Sequence, residues 1–379
     1  MTRDEAAALA RGNPFSFLHV VRSDIDLPPN TDPHDPQVYA KARQNFDLLR
    51  RDAFVQDPGP SVYLYELTLE GRTQLGIVGC LHVQDYEQNK IRKHETTRAD
   101  KEDDRTRHIL TVNAHAEPVL LAYEPSVFIS QMNSKVTTGV PLFDYTVDKV
   151  RHRGWKVDDV RAYVDAMRRV EVAYIADGHH RTAGAWRAAQ ERRAANPDHT
   201  GEEEYNWFLA VLFPWSQLHI LPYHRVVRDL NGMTPEGFAT RLIRTGELHA
   251  TDQPIPTERG NFGVLMGEKW FRYCFPKESI PPGDLATSHD SVLLQSRVLE
   301  PLLGIGDIRS DPRIAFVGGL DGIARMERMV RSGEMAVGFA MRATTMEEVV
   351  RVSDRGQIMP PKSTWFEPKL HSGLFVHTL

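Results

Sequence analysis

The chain has 379 residues, 41% of them hydrophobic and 26% charged, which is the composition of an ordinary folded protein with room for two or three domains. Lys and Arg number 46 against 51 Asp and Glu, so the net charge of −5 disfavours a dedicated nucleic-acid-binding protein. No apolar run reaches the roughly 18–20 residues that span a bilayer, and the first residues lack the pattern of a secretion signal. Two cysteines cannot build a cysteine-rich zinc site. We therefore expect a cytoplasmic protein that binds neither nucleic acid nor membrane.

The first half of the chain predicts a helix followed by strands and further helices. Residues 36–51 have apolar side chains at helical spacing, and residues 61–69 alternate as a strand does. Gly71, just before the next apolar stretch, predicts a hairpin. The other elements expected here are strands over residues 75–83, 119–123, 142–147 and 172–176, helices over 157–169 and 182–192, and partly helical structure over 87–111.

The second half continues the mixture of strands and helices. We expect strands over 206–214, from 218 and over 336–342, a hairpin over 262–275, and helices over 234–244, 290–303 and 345–354. Strands and helices alternate only in part, which predicts an α/β to α+β fold with a mixed sheet and flanking helices. We divide the chain into an N-terminal α/β region (1–125), a core region (126–230) and a C-terminal α+β region (231–379) whose last loop returns to the site.

The most informative segment is the end of the strand predicted over 172–176. Asp177 and Gly178 break the strand, and a helix follows almost at once. The start of a helix presents free backbone N–H groups and a positive dipole end, where anions settle. The simpler interpretation is a helix N-cap and a turn glycine with solvated polar neighbours. We favour a binding site because four consecutive polar residues follow the break: His179, His180, Arg181 and Thr182.

A densely charged segment over residues 90–107 offers a second set of polar groups. On a helix Arg92 and Glu95 would share a face, because residues three and four apart are neighbours. Glu95 would then be a candidate general base, with Arg92 and Arg105 as phosphate contacts. The alternative, slightly favoured by the pattern, is a solvated helix held by ion pairs. A zinc protease site is excluded because His94 has no second His at helical spacing.

Two further segments are candidate anion sites. His224 and Arg225 stand at the end of an apolar strand, where a His with satisfied hydrogen bonds is the more common outcome. Near the C-terminus, Lys362, Ser363 and Thr364 stand between prolines. Such a loop is stiff, so it presents its side chains at little ordering cost. It lacks the glycine pattern of a Walker loop, and it is either a phosphate or carboxylate clamp or purely structural.

Three segments together, residues 13–19, 175–181 and 359–370, resemble a large prokaryotic family catalogued as domain of unknown function number one thousand and fifteen. The core from Asp177 to Arg181 is also similar to the signature of the ParB/sulfiredoxin-like superfamily. That group includes ADP-dependent free-serine kinases, CTP-binding partition proteins and ATP-using sulfiredoxins. The resemblance implies a ParB/sulfiredoxin-like core with large additional regions and a nucleotide phosphate at this turn. Members of the unknown family often lie beside serine-biosynthesis genes, which favours phosphorylation of a hydroxy amino acid.

The resemblance also implies roles for individual residues. Asp177 would be the catalytic or metal-orienting carboxylate, and Gly178 the position where the ligand approaches the backbone. The kinases use a glutamate upstream of the motif as base, and Glu95 is the candidate here. His180 is a further catalytic candidate. Phosphate contacts would come from the residues of the helix start: His179, His180, Arg181 and Thr182.

These observations favour a phosphotransferase acting on a small-molecule substrate, with serine or another hydroxy amino acid as acceptor and a nucleotide or another phosphoryl compound as donor. The expected cofactors are a nucleotide, ADP or ATP, and Mg²⁺ held by Asp177, since phosphoryl transfer asks chiefly for positioning and charge neutralisation. One alternative is a nucleotide-binding switch protein without turnover. A weaker alternative is a metal-dependent hydrolase that uses the histidines. A homodimer is compatible with the sequence and not required by it.

The first prediction is that Arg181 and Lys362 face one pocket, although they are nearly half the chain apart. A transferred phosphoryl group needs several cationic contacts, and neither segment alone supplies enough. In a crystal structure of the protein soaked with phosphate, both side chains should converge on one cleft with Asp177 beside it. A Lys362 side chain directed to bulk solvent on the far side of the molecule would show that the loop is structural.

Overall fold

The computed structural model describes residues 1–281 and 285–379, and the chain forms two compact units. Unit 1 comprises Met1–Gln217 together with Pro368–Leu379, and unit 2 comprises Leu218–Glu367. The chain therefore leaves unit 1, forms unit 2 and returns to unit 1 for its last residues. This division differs from the three regions expected from the sequence.

Unit 1 contains helices whose starts follow ordinary capping chemistry. The helix from Pro36 begins with the Asp35 carboxylate accepting the Gln37 N–H at 2.9 Å, and a proline occupies its first position. The helix expected over 36–51 is thus confirmed. In chain order the helices are α1 (Arg3–Ala10), α2 (Leu18–Val21), α3 (Pro36–Asp52), α4 (Val83–Glu87), α5 (Ala99–Val112), α6 (Val127–Val136), α7 (Val160–Met167) and α8 (His179–Ala195).

The centre of unit 1 is an eight-stranded sheet in the order β3-β8-β5-β9-β2-β1-β7-β6. The pairs β3·β8 and β5·β9 are parallel and the others antiparallel, which confirms the expected mixed sheet with flanking helices. The strands are β1 (Tyr63–Leu69), β2 (Arg72–His82), β3 (Ile91–Arg92), β5 (Val119–Tyr123), β6 (Phe143–Val147), β7 (Val150–Lys156), β8 (Ala173–Asp177) and β9 (Trp207–Pro214), with β4 (Ala114–His115) in a separate two-stranded sheet.

This sheet explains why no compact unit ends near residue 125. Strand β5, which precedes residue 125, pairs with β8 and β9, which follow it. All five residues of β5 are buried, as expected for a central strand covered on both faces. Residues 1–125 and 126–217 therefore share one hydrophobic core, to which Leu64, Ile77, Leu121, Ile175 and Phe208 contribute.

Unit 2 is built on a six-stranded antiparallel sheet in the order β12-β14-β13-β16-β11-β15. The hairpin expected over 262–275 is confirmed, with its turn at Gly267. The strands are β10 (His219–Leu221), β11 (His224–Val227), β12 (Glu247–Ala250), β13 (Asn261–Met266), β14 (Lys269–Cys274), β15 (Ile314–Val317), β16 (Val337–Ala340) and β17 (Trp365–Glu367), and β18 (His377–Thr378) belongs to unit 1. The helices are α9 (Pro235–Ile243), α10 (Leu285–Ser288), α11 (Asp290–Leu294), α12 (Gly322–Arg331) and α13 (Met346–Asp354).

The helix expected over 182–192 is confirmed, but it begins earlier, at His179, so the polar residues after Gly178 form its first turn. One other local expectation is wrong. The charged segment is not helical where Arg92 and Glu95 stand, because Ile91 and Arg92 pair with β8 as a short parallel strand. The helix of that segment, α5, starts only at Ala99. A long-range strand pairing has here overridden a local helical pattern.

Helix α8 packs closely against α5 through small residues. Its buried face carries Ala183, Gly184, Ala185, Ala188 and Ala189. A β-carbon built at Gly184 would lie 2.9 Å from Arg105 Cβ and 3.2 Å from the backbone nitrogen of Thr106. The absence of a side chain at Gly184 thus fixes the distance between the two helices, and with it the position of the start of α8.

Among the described residues, no helix combines the length and the apolar composition that crossing a bilayer requires.

The second prediction concerns this helix contact. Gly184→Leu should lower the free energy of unfolding by about 1–3 kcal/mol, because the larger side chain forces α5 and α8 apart. Gly59→Leu is the matched control, since a β-carbon at Gly59 meets no atom within 4 Å. Urea unfolding of both variants measures the difference. Equal midpoints would contradict the close packing of the two helices.

Candidate functional site

The site begins at the turn between β8 and α8. Strand β8 is buried up to Ala176 and ends at Asp177. Gly178 has φ +107°, a left-handed conformation that favours glycine because it has no β-carbon. Gly178 is also the N-cap of α8 and supplies no side-chain cap. The first backbone hydrogen bond of α8 runs from the Thr182 N–H to the Gly178 carbonyl, at 2.9 Å, so the N–H groups before it belong to the end of the helix where anions commonly bind.

Asp177 is held between two cations. Lys369 Nζ lies 3.0 Å from Asp177 Oδ2, and Arg181 Nη2 lies 3.6 Å from Oδ1. Desolvation by the surrounding protein raises the pKa of this carboxyl, but the charges of Lys369 and Arg181 outweigh it and lower the pKa to about 2. Asp177 is thus an anion over the whole physiological pH range, and its side chain remains 35% exposed.

Arg181 and Thr182 support the turn from inside. The Arg181 guanidinium donates a hydrogen bond to the Pro118 carbonyl, and its Nε would lie 3.0 Å from a β-carbon at Gly178. Thr182 is fully buried, and its hydroxyl donates to the Gly178 carbonyl at 3.1 Å. In this conformation Thr182 presents no group to a ligand. The expected phosphate contacts of these two residues remain a prediction.

His179 packs against a second buried histidine, His94. Their rings are 4.6 Å apart and nearly perpendicular, and the His94 N–H donates to His179 Nε2 at 3.5 Å. Burial lowers the pKa of His94 to about 4, and burial together with the neighbouring His94 lowers the pKa of His179 well below its ordinary value. Both imidazoles are therefore neutral at pH 7, so His179 brings no positive charge to the turn.

His180 holds the charged segment over the turn. Its Nε2 accepts the Arg98 N–H at 3.1 Å, where α5 is about to begin. Together with the contact between His94 and His179, this fixes residues 94–98 at both ends against the first turn of α8. Glu95 lies inside this fixed segment and is partly exposed. The structure therefore brings Glu95 near the turn, although not through the helical face expected from the sequence.

The two arginines expected beside Glu95 have other surroundings. Arg92 lies in β3, in register with Tyr174 of β8. Arg105 lies on α5, and its Nη1 donates to Glu117 at 2.8 Å. Glu117 precedes the proline that Arg181 contacts, so Arg105 and Arg181 both anchor the loop before β5. The roles of Arg92 and Arg105 as phosphate contacts stay predictions.

The remaining candidates lie in unit 2. Arg225 is 3% exposed, and its Nη2 donates to the Lys362 carbonyl at 3.2 Å. Burial lowers the pKa of this guanidinium to about 10. Lys362 has φ +61° and an exposed side chain, whose Nζ lies 5.7 Å from the centre of the Tyr223 ring. The first prediction, that Lys362 and Arg181 face one pocket, stays a prediction.

The loop that carries Lys362 is held in place by hydrogen bonds of buried hydroxyl groups. Ser363 is buried, and its Oγ donates to the Pro360 carbonyl at 2.7 Å and lies 3.2 Å from Ser291 Oγ. Ser291 in turn lies 2.8 Å from His289 Nδ1. Ser363 therefore anchors the loop, and Thr364 beside it is partly buried.

Sequence reasoning missed two residues of the site. Lys369 stands in the same proline-rich segment as Lys362, seven residues later, and a second lysine after a second proline was the available signal. His94 stands directly before Glu95, but its burial depends on the parallel pairing of β3 with β8, which no local pattern announces.

The surroundings of Asp177 do not fit a metal ion held by the protein. Among residues 1–281 and 285–379, no three His, Cys, Asp or Glu side chains cluster as a metal site. The Asp177 carboxylate already faces Lys369 and Arg181, whose charges would oppose a divalent cation. The hydrolase alternative therefore has no metal site in the described part of the chain.

The third prediction follows from the buried His94. Its folded-state pKa of about 4 lies below the ordinary 6.5, so the unfolded chain binds more protons between these values. The free energy of unfolding should therefore fall as the pH is lowered from about 6.5 towards 4. His94→Gln should reduce the loss between pH 7 and 5 by about 1–2 kcal/mol, measured by urea unfolding at both values. His249→Gln is the exposed control, and an unchanged loss in His94→Gln would show that His94 is not buried neutral.

Comparison with solved structures finds distant likenesses. A free serine kinase in complex with AMP is 16% identical over 76% of this chain and 86% of its own, with a TM-score of 0.38. SbnI with a C-terminal truncation from Staphylococcus aureus is 13% identical over 76% and 82%, with a TM-score of 0.40. A conserved hypothetical protein from Pyrococcus furiosus is 16% identical over 78% and 93%, with a TM-score of 0.37. No residue role is carried over from them.

Comparison with protein families and curated proteins gives one result. No curated protein matches the sequence. The profile of one family, described as a protein of unknown function (DUF1015), matches residues 1–298, which is well over half of the chain. The chain therefore belongs to the DUF1015 family.

Proposed function

We propose that the protein is a small-molecule phosphotransferase that moves a phosphoryl group from a nucleotide to the hydroxyl of serine or a similar hydroxy amino acid. The observation that carries this proposal is the contact of Asp177 with Lys369 at the uncapped start of α8. The resemblance of this turn to the ParB/sulfiredoxin-like signature supports a nucleotide as the phosphoryl donor.

The nucleotide phosphate would bind at the start of α8. The first-turn N–H groups point out of the helix, and the dipole of a 17-residue helix favours an anion there. Lys369 would supply the mobile positive charge, because its side chain is 44% exposed. Arg181 would act from behind the turn by keeping Gly178 in place. His179 and His94 would add a neutral, water-poor wall.

The acceptor hydroxyl needs an orienting group and a base. Asp177 is a weak base, since its pKa is about 2, but as a permanent anion it can accept a hydrogen bond from the hydroxyl. Glu95 is the better candidate base, because residues 94–98 are fixed over the turn by contacts to His179 and His180. His180 would then be a positioning residue, since its Nε2 is already used by the Arg98 N–H.

This proposal does not require a Mg²⁺ ion that is bound by the protein in the absence of the nucleotide. Magnesium ions commonly bind through nucleotide phosphates with one or two carboxylates, and the cations around Asp177 leave that carboxylate little affinity for a metal. A magnesium ion that arrives with the nucleotide would neutralise phosphate charge. The steps assigned here to Asp177, Glu95 and Lys369 do not depend on it.

The test is a search for acceptor-dependent turnover. The purified protein would be incubated with ATP, ADP or pyrophosphate, each with serine, threonine or homoserine, and phosphorus NMR would detect a new phosphomonoester. We expect product with at least one donor and acceptor pair. Nucleotide binding in a thermal-shift assay without any product would favour the switch protein instead. The absence of both binding and product would overturn the assignment of the turn.

The fourth prediction concerns Asp177. Asp177→Asn should lower the phosphotransfer rate by roughly 100-fold or more, because the neutral amide accepts a weaker hydrogen bond from the hydroxyl and has no charge to hold Lys369. Stability should change by only about 0–1 kcal/mol, since the ion pair is partly exposed. The matched control is Asp165→Asn on α7, which removes a carboxylate paired with Arg161 at 2.9 Å.

Two outcomes would contradict this prediction. Turnover near that of the unaltered protein would remove Asp177 from the reaction. A variant that unfolds would indicate that the carboxylate serves chiefly to hold the turn.

A further inference from the structure

Unit 2 contains another glycine-containing connection from a strand to a helix, between β15 and α12. Strand β15 ends at Val317, and Gly318 and Gly319 follow before α12 begins at Gly322. Gly319 has φ +94°, and a β-carbon at Gly318 would lie 2.4 Å from the Trp365 ring. Both glycines are therefore required, one for the left-handed backbone and the other for close contact with an aromatic ring.

The start of α12 is open. Asp321 is the N-cap, but its side chain makes no capping hydrogen bond. The Gly322 N–H donates to the Gly319 carbonyl at 3.1 Å, and the Arg325 N–H donates to the Asp321 carbonyl at 2.8 Å. The two N–H groups between them, of Ile323 and Ala324, have no backbone acceptor among the described residues. They are available to an anion at the positive end of a ten-residue helix.

A buried imidazole lies against this helix start. His224 is 2% exposed, and its Nδ1 accepts the Met341 N–H at 3.1 Å. Burial lowers the pKa of His224 to about 4, so the ring is neutral and carries its one hydrogen on Nε2. A β-carbon at Gly322 would lie 3.1 Å from His224 Cδ2 and 3.4 Å from Nε2. The Nε2 edge of the ring thus lies against the first residue of α12. Within the described residues the ring's hydrogen bond is made by Nδ1, to the Met341 N–H.

The charged side chains around the start of α12, called the opening below, belong to Asp321 and to α12 itself. Arg325, in the first turn, is exposed. Asp321 is also exposed, and its carboxylate lies 3.7 Å from Arg328. Two arginines against one aspartate leave the opening with a net positive charge. Arg225, the neighbour of His224 in β11, is separate from this opening, because successive side chains of a strand point to opposite faces of the sheet.

We propose that the turn between β15 and α12 binds the phosphate group of a small phosphorylated metabolite, with His224 Nε2 and the N–H groups of Ile323 and Ala324 as donors. Three N–H donors at a helix start match the acceptor oxygens of a phosphate better than those of a neutral ligand. This site lies wholly within unit 2, is independent of the proposed phosphotransfer at Asp177, and would exist in a protein without that activity.

The experiment compares two substitutions at an exposed position. Ala324→Glu places a carboxylate in the first turn of α12, where it is compatible with the helix dipole but repels an anion. Ala324→Gln has the same shape without the charge. Isothermal titration calorimetry of the full-length chain with inorganic phosphate should show binding that is at least tenfold weaker in Ala324→Glu and within twofold of the unaltered protein in Ala324→Gln.

Two further arms complete the test. His224→Asn keeps an acceptor for the Met341 N–H but removes the Nε2 donor, and it should also weaken phosphate binding. O-phosphoserine and glycerol phosphate, titrated beside inorganic phosphate, separate a phosphorylated metabolite from the free ion, since only the former should gain affinity from its organic part. Equal phosphate binding by Ala324→Glu and Ala324→Gln would overturn the proposal. Loss of binding in Asp177→Asn alone would place the phosphate in unit 1 and would also overturn it.

Discussion

The conformation of Gly178 is the constraint on which the candidate site depends. A residue with φ +107° turns the chain sharply from strand to helix, so that the last carboxylate of β8 stands beside the first turn of α8. The neighbouring contacts keep the turn in place. Arg181 reaches back to Pro118, Thr182 closes the first helical bond, and Gly184 lets α5 approach. A backbone dihedral angle and the small residues of one helix face therefore determine where charge can be placed.

Local patterns of the sequence were sufficient for most elements and for the location of the turn. The buried strand before Asp177, the hairpins and the capped helices follow from periodicity and turn chemistry. The errors arise where distant segments meet. The segment around Arg92 has a helical pattern but forms a strand, because β8 offers its backbone hydrogen bonds. The contact of Lys369 with Asp177 was missed for a similar reason, since it depends on the return of the chain to unit 1 and not on a local pattern.

The two connections from strand to helix that contain glycine differ in the charged groups around them. The turn at Gly178 is surrounded by full charges, with an ionised Asp177 between Lys369 and Arg181. At the turn before α12 a neutral imidazole supplies the side-chain donor, and the charged side chains stand at the rim. Full charges suit a site where charge develops and moves during a reaction, whereas neutral donors suit a site that only holds an anion.

The return of the chain to unit 1 also sets the order in which the candidate site can be assembled during synthesis. Asp177 and α8 leave the ribosome early, but Lys369 follows only after all of unit 2 has been made. The last residue then ties to unit 1, where Leu379 N–H donates to the Asn113 carbonyl at 3.1 Å. A chain that stops before residue 369 would have the turn and Arg181 but not Lys369, so Asp177 would lack the nearer of its two cations. Synthesis of the segment that returns to unit 1 is thus a condition for the full set of charges at Asp177.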